Sequence, residues 1–298
     1  MANKTKLFVF LISILGTVIG AVVIYFFLYS STKPTESSLS PTAFSTPENP
    51  QQPITASTSL SDLPIGVSIS LGNQWFESWA GANDILVTFS DSLITSSKPA
   101  KGRLGWNNPS FANIKQMENQ WQGKVDIILY DYETWEKTPQ DEQADPQKTA
   151  QEVHAYADEK QVTIIIGASW KMVTKEGASR QARENLSNIN FADLIDKEKV
   201  QAIARHAKDF GVNASGLRSA SPDSYIVFFK LVASYAQEVN PTIKLWPVLD
   251  ARNQSADQMR QMIKDLDGYL NGIMIMGSAQ DKPVISQLIS LLRGSEIP

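Results

Sequence analysis

The sequence predicts an α/β fold, a (β/α)8 TIM-barrel-like domain, on three observations. Short β-branched runs alternate with amphipathic stretches from about Ile65 to the C-terminus. Those runs are continuously apolar, which means burial on both faces, as in a parallel sheet wrapped by helices. Neither GxGxxG nor GxxxxGK(S/T) occurs in the 298 residues, so a doubly wound open sheet, the competing arrangement, lacks its phosphate loop.

Residues 1–6 carry Lys4 and Lys6 and precede an uncharged apolar run, Leu7 to Tyr29. As a helix this run reaches about 34 Å, past a hydrocarbon core of about 30 Å. A cleaved signal peptide is the rival reading. Its apolar region is only about 7–15 residues and ends at a small-residue site, whereas this run is longer and continues YSSTKP. The expectation is a single-pass signal-anchor helix in the cell membrane. The positive-inside bias puts its N-terminus in the cytoplasm and the rest outside. Gly16 and Gly20 form a GxxxG pair, through which the span is a candidate for homodimerisation. Residues 30–64 are rich in Ser, Thr and Pro with Phe44 as the lone aromatic, which predicts a disordered, extended tether.

Within 65–298 the predicted strands are 65–70, 84–90, 125–132, 162–169, 212–218, 244–250 and 272–277. An eighth falls in GRLGW (102–106) or NFADLI (190–195). Helix signals lie between them. Asp145-Pro146 opens one helix, with Pro where a missing N–H costs nothing. Asp196 opens another that Gly211 would close, and Ser221-Pro222 opens a third that ends at Asn240-Pro241. Ser255 with Gln258 makes a capping box. The last helix runs from Pro283 to Arg293.

Composition excludes several chemistries. The 31 acidic and 27 basic side chains leave a net charge of −4, which argues against a nucleic-acid partner needing a basic face. With no cysteine there is no disulfide, thiolate nucleophile or cysteine metal site. The two histidines, His154 and His206, fall in predicted helices without a ligand cluster and read as surface or packing residues. No cofactor or metal motif occurs, although carboxylates on separate strands would leave no local spacing signature for an oxygen-ligated ion.

A barrel concentrates chemistry at the C-terminal ends of its strands. The run ending YDYETWE puts Asp131, Glu133 and Trp135 on one face if the backbone stays extended. Other strand ends supply Asp91, Ser169, Trp170, Lys171, Arg218, Asp250 and Arg252. Carboxylates beside tryptophans suit sugars: indole faces stack on pyranose C–H faces, and paired acids act on the glycosidic bond. On this reading Glu133 is the general acid, with Asp131 orienting the substrate or Asp250 acting as the second carboxylate. Trp135, Trp170, Arg218, Arg252 and Asp91 contact ligand. The plain alternatives are that Asp131 and Glu133 cap a loop or pair with a rim arginine, and that the tryptophans pack. The run DEQAD (141–145) reads as a solvated helix start favoured by the helix dipole.

Asp126, Asp131 and Glu133 are spaced like three members of the family 18 chitinase motif D-x-x-D-x-D-x-E, with Leu129 at the position of the second aspartate. In that family the glutamate is the general acid and the preceding aspartate orients the acetamido group. A longer stretch resembles a group of secreted or anchored bacterial barrel-like proteins with a D-x-E-x-W…TP…EQ-x-DP signature. Here it comprises Tyr130, Asp131, Glu133, Trp135, Thr138, Pro139, Glu142, Gln143, Asp145 and Pro146. That resemblance implies the barrel and the importance of this rim, but no substrate. The sequence therefore leads to a membrane-anchored extracytoplasmic glycoside-hydrolase-like protein acting on a cell-envelope or environmental glycan. The alternative is a non-catalytic barrel that binds a saccharide or a protein on the same rim.

Overall fold

The computed structural model describes residues 59–96, 98–178, 190–213 and 222–297. The expected membrane span, the tether up to residue 58 and Arg218 lie outside these residues. Among the described residues no helix is long and apolar enough to cross a membrane.

Eight parallel strands close into a barrel in chain order. They are β1 (Ile65–Ser68), β2 (Ile85–Thr88), β3 (Arg103–Asn108), β4 (Ile127–Tyr132), β5 (Thr163–Ser169), β6 (Asp209–Asn213), β7 (Lys244–Asp250) and β8 (Ile273–Met276). Closure is explicit in the pairing of β8 with β1, Ile65 opposite Ile273. GRLGW supplies β3. The rival NFADLI instead makes a helical turn, Phe191–Leu194, begun by the Asn190 side chain accepting from Ala192 N.

Helix starts follow the predicted signals. Asp145 accepts from Lys148 N and Pro146 opens the helix Pro146–Lys160. Asp196 accepts from Lys199 N at the head of Lys197–Ala204. The Ser255–Gln258 capping box heads Ala256–Asp265, and the last helix is Lys282–Arg293. The helix Pro222–Val239 stops at the predicted Asn240-Pro241. Two expectations are corrected at one place. The helix opened by Asp196 ends at Ala204, and Gly211 sits inside β6 rather than closing it. The strand expected at 212–218 is therefore placed several residues late. Gly211 pairs with Gly167 and Trp246 in the ladder, a close strand approach that reads from sequence like a helix stop.

Strand alternation builds two cores. Outward residues such as Ile128, Tyr130, Ile166 and Phe210 pack under the helices. Inward residues Ile85, Val87, Ile127, Ile165, Trp246 and Met274 fill the barrel. Each such fully buried aliphatic contributes about 1.5–3 kcal/mol of transfer free energy. Trp246 blocks the lower interior: its ring occupies the space where a side chain at Gly272 would go, and its Nε1 donates to Asp209 Oδ1 at 2.9 Å.

The N-terminal end of the barrel is latched by charge. Asp84, 2% exposed, accepts from Ile65 N at 2.8 Å, Gly81 N at 2.7 Å and Arg293 Nη2 at 2.6 Å. Arg293 also donates to Leu63 O at 3.0 Å. One carboxylate thus joins β1, β2 and the last helix. Leu63, assigned to the tether from sequence, is itself buried, so packing begins slightly before Ile65.

Candidate functional site

On β4, Ile128, Tyr130 and Tyr132 face the helices, while Ile127 and Leu129 face the barrel interior. Alternation continues that inner row to Asp131 at the end of β4, and Glu133 follows just past the strand, close enough for its charge to act on Asp131. Burial pushes the Asp131 carboxyl up to about 7, and the neighbouring negative charge of Glu133 pushes the same way. A hydrogen bond from Asn107 and the charge of Lys137 oppose the shift. Glu133 is also raised by burial, against the pull of Lys171. The Asp131 carboxyl, which ordinarily ionises near pH 4, therefore keeps its proton close to neutrality.

The loop after β4 is built by the residues of the long signature. Trp135 Nε1 donates to Thr138 Oγ1 at 3.0 Å, and Thr138 Oγ1 donates to Pro109 O at 2.8 Å. Gln143 Nε2 donates to both Trp135 O and Thr138 O, at 2.8 and 2.6 Å. Glu142 is 8% exposed and accepts from Phe111 N, Ala112 N and Tyr130 OH. That corrects the reading of DEQAD as a wholly solvated run. The signature is a brace that ties β4 to the start of the helix Phe111–Gln116 and fixes the exit of Asp131 and Glu133.

Beside β4, β5 offers two features. Asp131 is level with Gly167, which in turn is level with Gly211. No side-chain atom lies within 4 Å of where a Cβ on Gly167 would stand; the nearest atom is Tyr130 O at 3.5 Å. One step further along the inner row is Ser169, 6% exposed, whose Oγ has no hydrogen-bond partner. The wall beside Asp131 thus has room for at least a methyl group at Gly167, and the next inward group along β5 is a buried hydroxyl.

The other expected site residues are placed differently. Asp250 is inward and 4% exposed, but Arg252 Nε and Nη2 grip it at 3.0 and 2.8 Å and Arg252 N adds a third bond. Asp91 is exposed and accepts from Nε1 of the buried, outward-facing Trp106 at 3.1 Å. Trp170, 7% exposed, belongs to the packing between strands and helices. Trp135 is 36% exposed, and Lys137 Nζ stands over its ring at 4.9 Å. Asp126 sits at the opposite end of β4, accepting from Leu104 N at 2.8 Å. Of the predicted set, the described structure joins Asp131 and Glu133; it adds Asn107, Gly167 and Ser169. Asn107 was hidden because β3 was one of two candidate strands, so its rim residues were not read. Among the described residues no three His, Asp or Glu side chains converge as metal ligands.

No protein-family profile and no curated protein matches the chain. Solved structures with a similar course include an archaeal fructose-1,6-bisphosphate aldolase, described with its catalytic Lys covalently bound to the carbinolamine intermediate of the substrate. It is 8% identical, with a TM-score of 0.44, covering 78% of this chain and 92% of that one. A 3-hexulose-6-phosphate synthase is 10% identical, with a TM-score of 0.43, covering 76% and 99%. The carboxyl transferase domain of Rhizobium etli pyruvate carboxylase is 11% identical, with a TM-score of 0.47, covering 80% of this chain and 45% of that one. Likenesses this distant bear on the fold alone.

The glycoside-hydrolase expectation is corrected. The solved structures named here include aldolases and a synthase and no glycoside hydrolase, and at this distance they assign no activity. The rim itself speaks against a glycoside hydrolase: the second acid, Asp250, is engaged by Arg252, and Trp170 is buried in packing. Of the two indoles a saccharide would stack on, Trp170 is taken up in packing, while Trp135 stays at the surface with Lys137 over its ring.

Proposed function

We propose that the barrel mouth is an acid–base site in which Asp131 and Glu133 exchange a proton with a small polar substrate. One observation carries this reading: the Asp131 carboxyl on the inner face at the end of β4 and the Glu133 carboxyl just beyond it act on each other, and burial holds the Asp131 proton to about pH 7. A general acid–base works best when its pKa lies near the working pH. Asp131 is the proton donor. Glu133, nearer the Lys171 charge, is the carboxylate that holds the proton on Asp131 and accepts one from substrate. Asn107 fixes the Asp131 carboxyl in place. The test is incubation of the full-length protein with pooled small metabolites in D2O, read by mass spectrometry for new products or deuterium uptake. Turnover falling about 10²–10⁴-fold in Asp131→Asn, with Asp91→Asn unaffected, is the expected result. Equal turnover in wild type and Asp131→Asn would overturn it.

We also propose that the 7–29 run anchors this barrel outside the membrane, on the strength of its length, its lack of charge and the Lys4/Lys6 flank. The protein then stays in the pellet after alkaline carbonate washing and its barrel is cut by protease added to intact cells. Recovery in the wash, or full protection in intact cells, rejects the anchor or its orientation.

A further inference from the structure

We propose that the space beside Asp131 is a binding site for a small primary ammonium compound, its charged head seated among the Asp131 and Glu133 carboxyl groups and the Ser169 hydroxyl. This rests on the acid–base reading of the same mouth and names the class of ligand it takes.

Three observations converge on it. The first is Ser169: the hydroxyl is buried, inward and without a partner, and a hydroxyl left so costs about 1–3 kcal/mol unless something bonds to it. The second is the room: Gly167 stands level with Asp131, and no neighbouring side chain comes within 4 Å of where its Cβ would be, the nearest atom being Tyr130 O at 3.5 Å. Interiors are packed near crystal density, so room left beside polar groups inside a barrel is where a ligand fits. The third is the chemistry of the wall. Asp131, Glu133, the Ser169 oxygen and the Asn107 amide oxygen are acceptors, and an ammonium group brings three N–H donors.

The cations nearby leave that place open. Lys137 lies over the Trp135 ring, Lys171 is exposed at the rim, and Arg252 is engaged with Asp250. Among the described residues, no inward strand position of the upper barrel carries Lys, Arg or His. The charged groups facing Asp131 are thus Glu133 from its own segment and Lys137 from the following loop, with Lys171 reaching Glu133 from the end of β5.

The binding step balances as one ammonium in and one proton out. Neutral Asp131 and R–NH3⁺ become the carboxylate–ammonium pair plus a free proton. Since an alkylammonium stays charged from pH 6 to pH 8, the pH dependence of affinity reports Asp131.

The experiment is titration calorimetry of the full-length protein with n-propylamine and its neutral isostere 1-propanol at pH 6 and pH 8. Expected are saturable binding of the amine alone and about tenfold tighter binding at pH 8. Gly167→Val, which fills the space without a strained backbone, abolishes binding. Ser169→Ala weakens it about fivefold. Circular dichroism of both variants matches wild type. Equal binding of 1-propanol, affinity indifferent to pH or to Gly167→Val, or no amine binding up to millimolar concentration overturns the proposal. Carboxyl ¹³C NMR separates the two failures. Asp131 titrating near pH 7 in a protein that ignores the amine removes the ligand class and keeps the acid–base reading. Asp131 titrating in the ordinary aspartate range removes both.

Discussion

At Asp131 the folded chain holds a carboxyl group in a place that disfavours its charge, and this has a measurable sign. Its pKa is about 7 folded against about 3.9 for an unfolded aspartate, so between those values the native state binds more protons. Stability contributed by the retained proton is therefore present at pH 4 and lost as pH rises through 7. Replacing Asp131 with Asn removes the group that must ionise. The variant should gain on the order of 3 kcal/mol over wild type at pH 8 relative to their difference at pH 4, by urea unfolding at both pH values. A difference that does not change with pH would mean that Asp131 ionises as freely folded as unfolded. A site that stores such a cost is consistent with function, since a packing role would be better served by Asn or Leu.

At the scale of elements, the loop from Tyr132 to Gln140 shows what sequence spacing carries and what it hides. Alternation along YDYETWE reads Asp131 as inward, which fits because β4 keeps its period up to Tyr132. It could not carry to Trp135, since the backbone leaves the extended conformation after Tyr132 and the indole turns to Thr138. Helix starts at Asp145, Asp196 and Ser255 were legible because a cap acts within three residues. Glu142 was not: its partners Phe111 and Tyr130 lie 31 and 12 positions away, and nothing local separates a buried acceptor from a solvated acid. The strand β6 was misplaced for the same reason, since the partners that make Gly211 a strand residue come from β5 and β7. The brace itself predicts a result. Thr138→Val removes the acceptor for Trp135 Nε1 and the donor to Pro109 O, costing about 1–3 kcal/mol of local stability. Native-state trypsin cleavage after Lys137 should then rise at least about fivefold. An unchanged cleavage rate would show that Gln143 and Glu142 hold the loop without Thr138.

For the whole barrel, the two ends divide the work. The C-terminal mouth carries the raised carboxyl groups, the room at Gly167 and the orphan hydroxyl, all of them costs to the folded state. The N-terminal end carries the compensating latch, in which Asp84 joins β1, β2 and the last helix through two backbone N–H groups and Arg293. The Arg293 and Asp84 side chains are only 14% and 3% exposed, so their ion pair is shielded from solvent. Removing one member of such a pair strands the other in a poorly hydrated place, a loss of about 3–5 kcal/mol. Arg293→Ala should therefore lower the urea midpoint steeply, because it undoes the contact between the first and last elements on which closure depends. Asp84→Asn in the same chain should restore part of that loss, since the amide oxygen still accepts one backbone N–H and no charge is left unpaired. Barrels of this kind keep stability and chemistry at opposite ends, so the carboxyl titration of Asp131 should stay near pH 7 in Arg293→Ala while the protein remains folded. A shift of that titration with the latch mutation would mean that the ends are mechanically coupled, with the mouth's electrostatics set by barrel closure rather than by β4 and its brace.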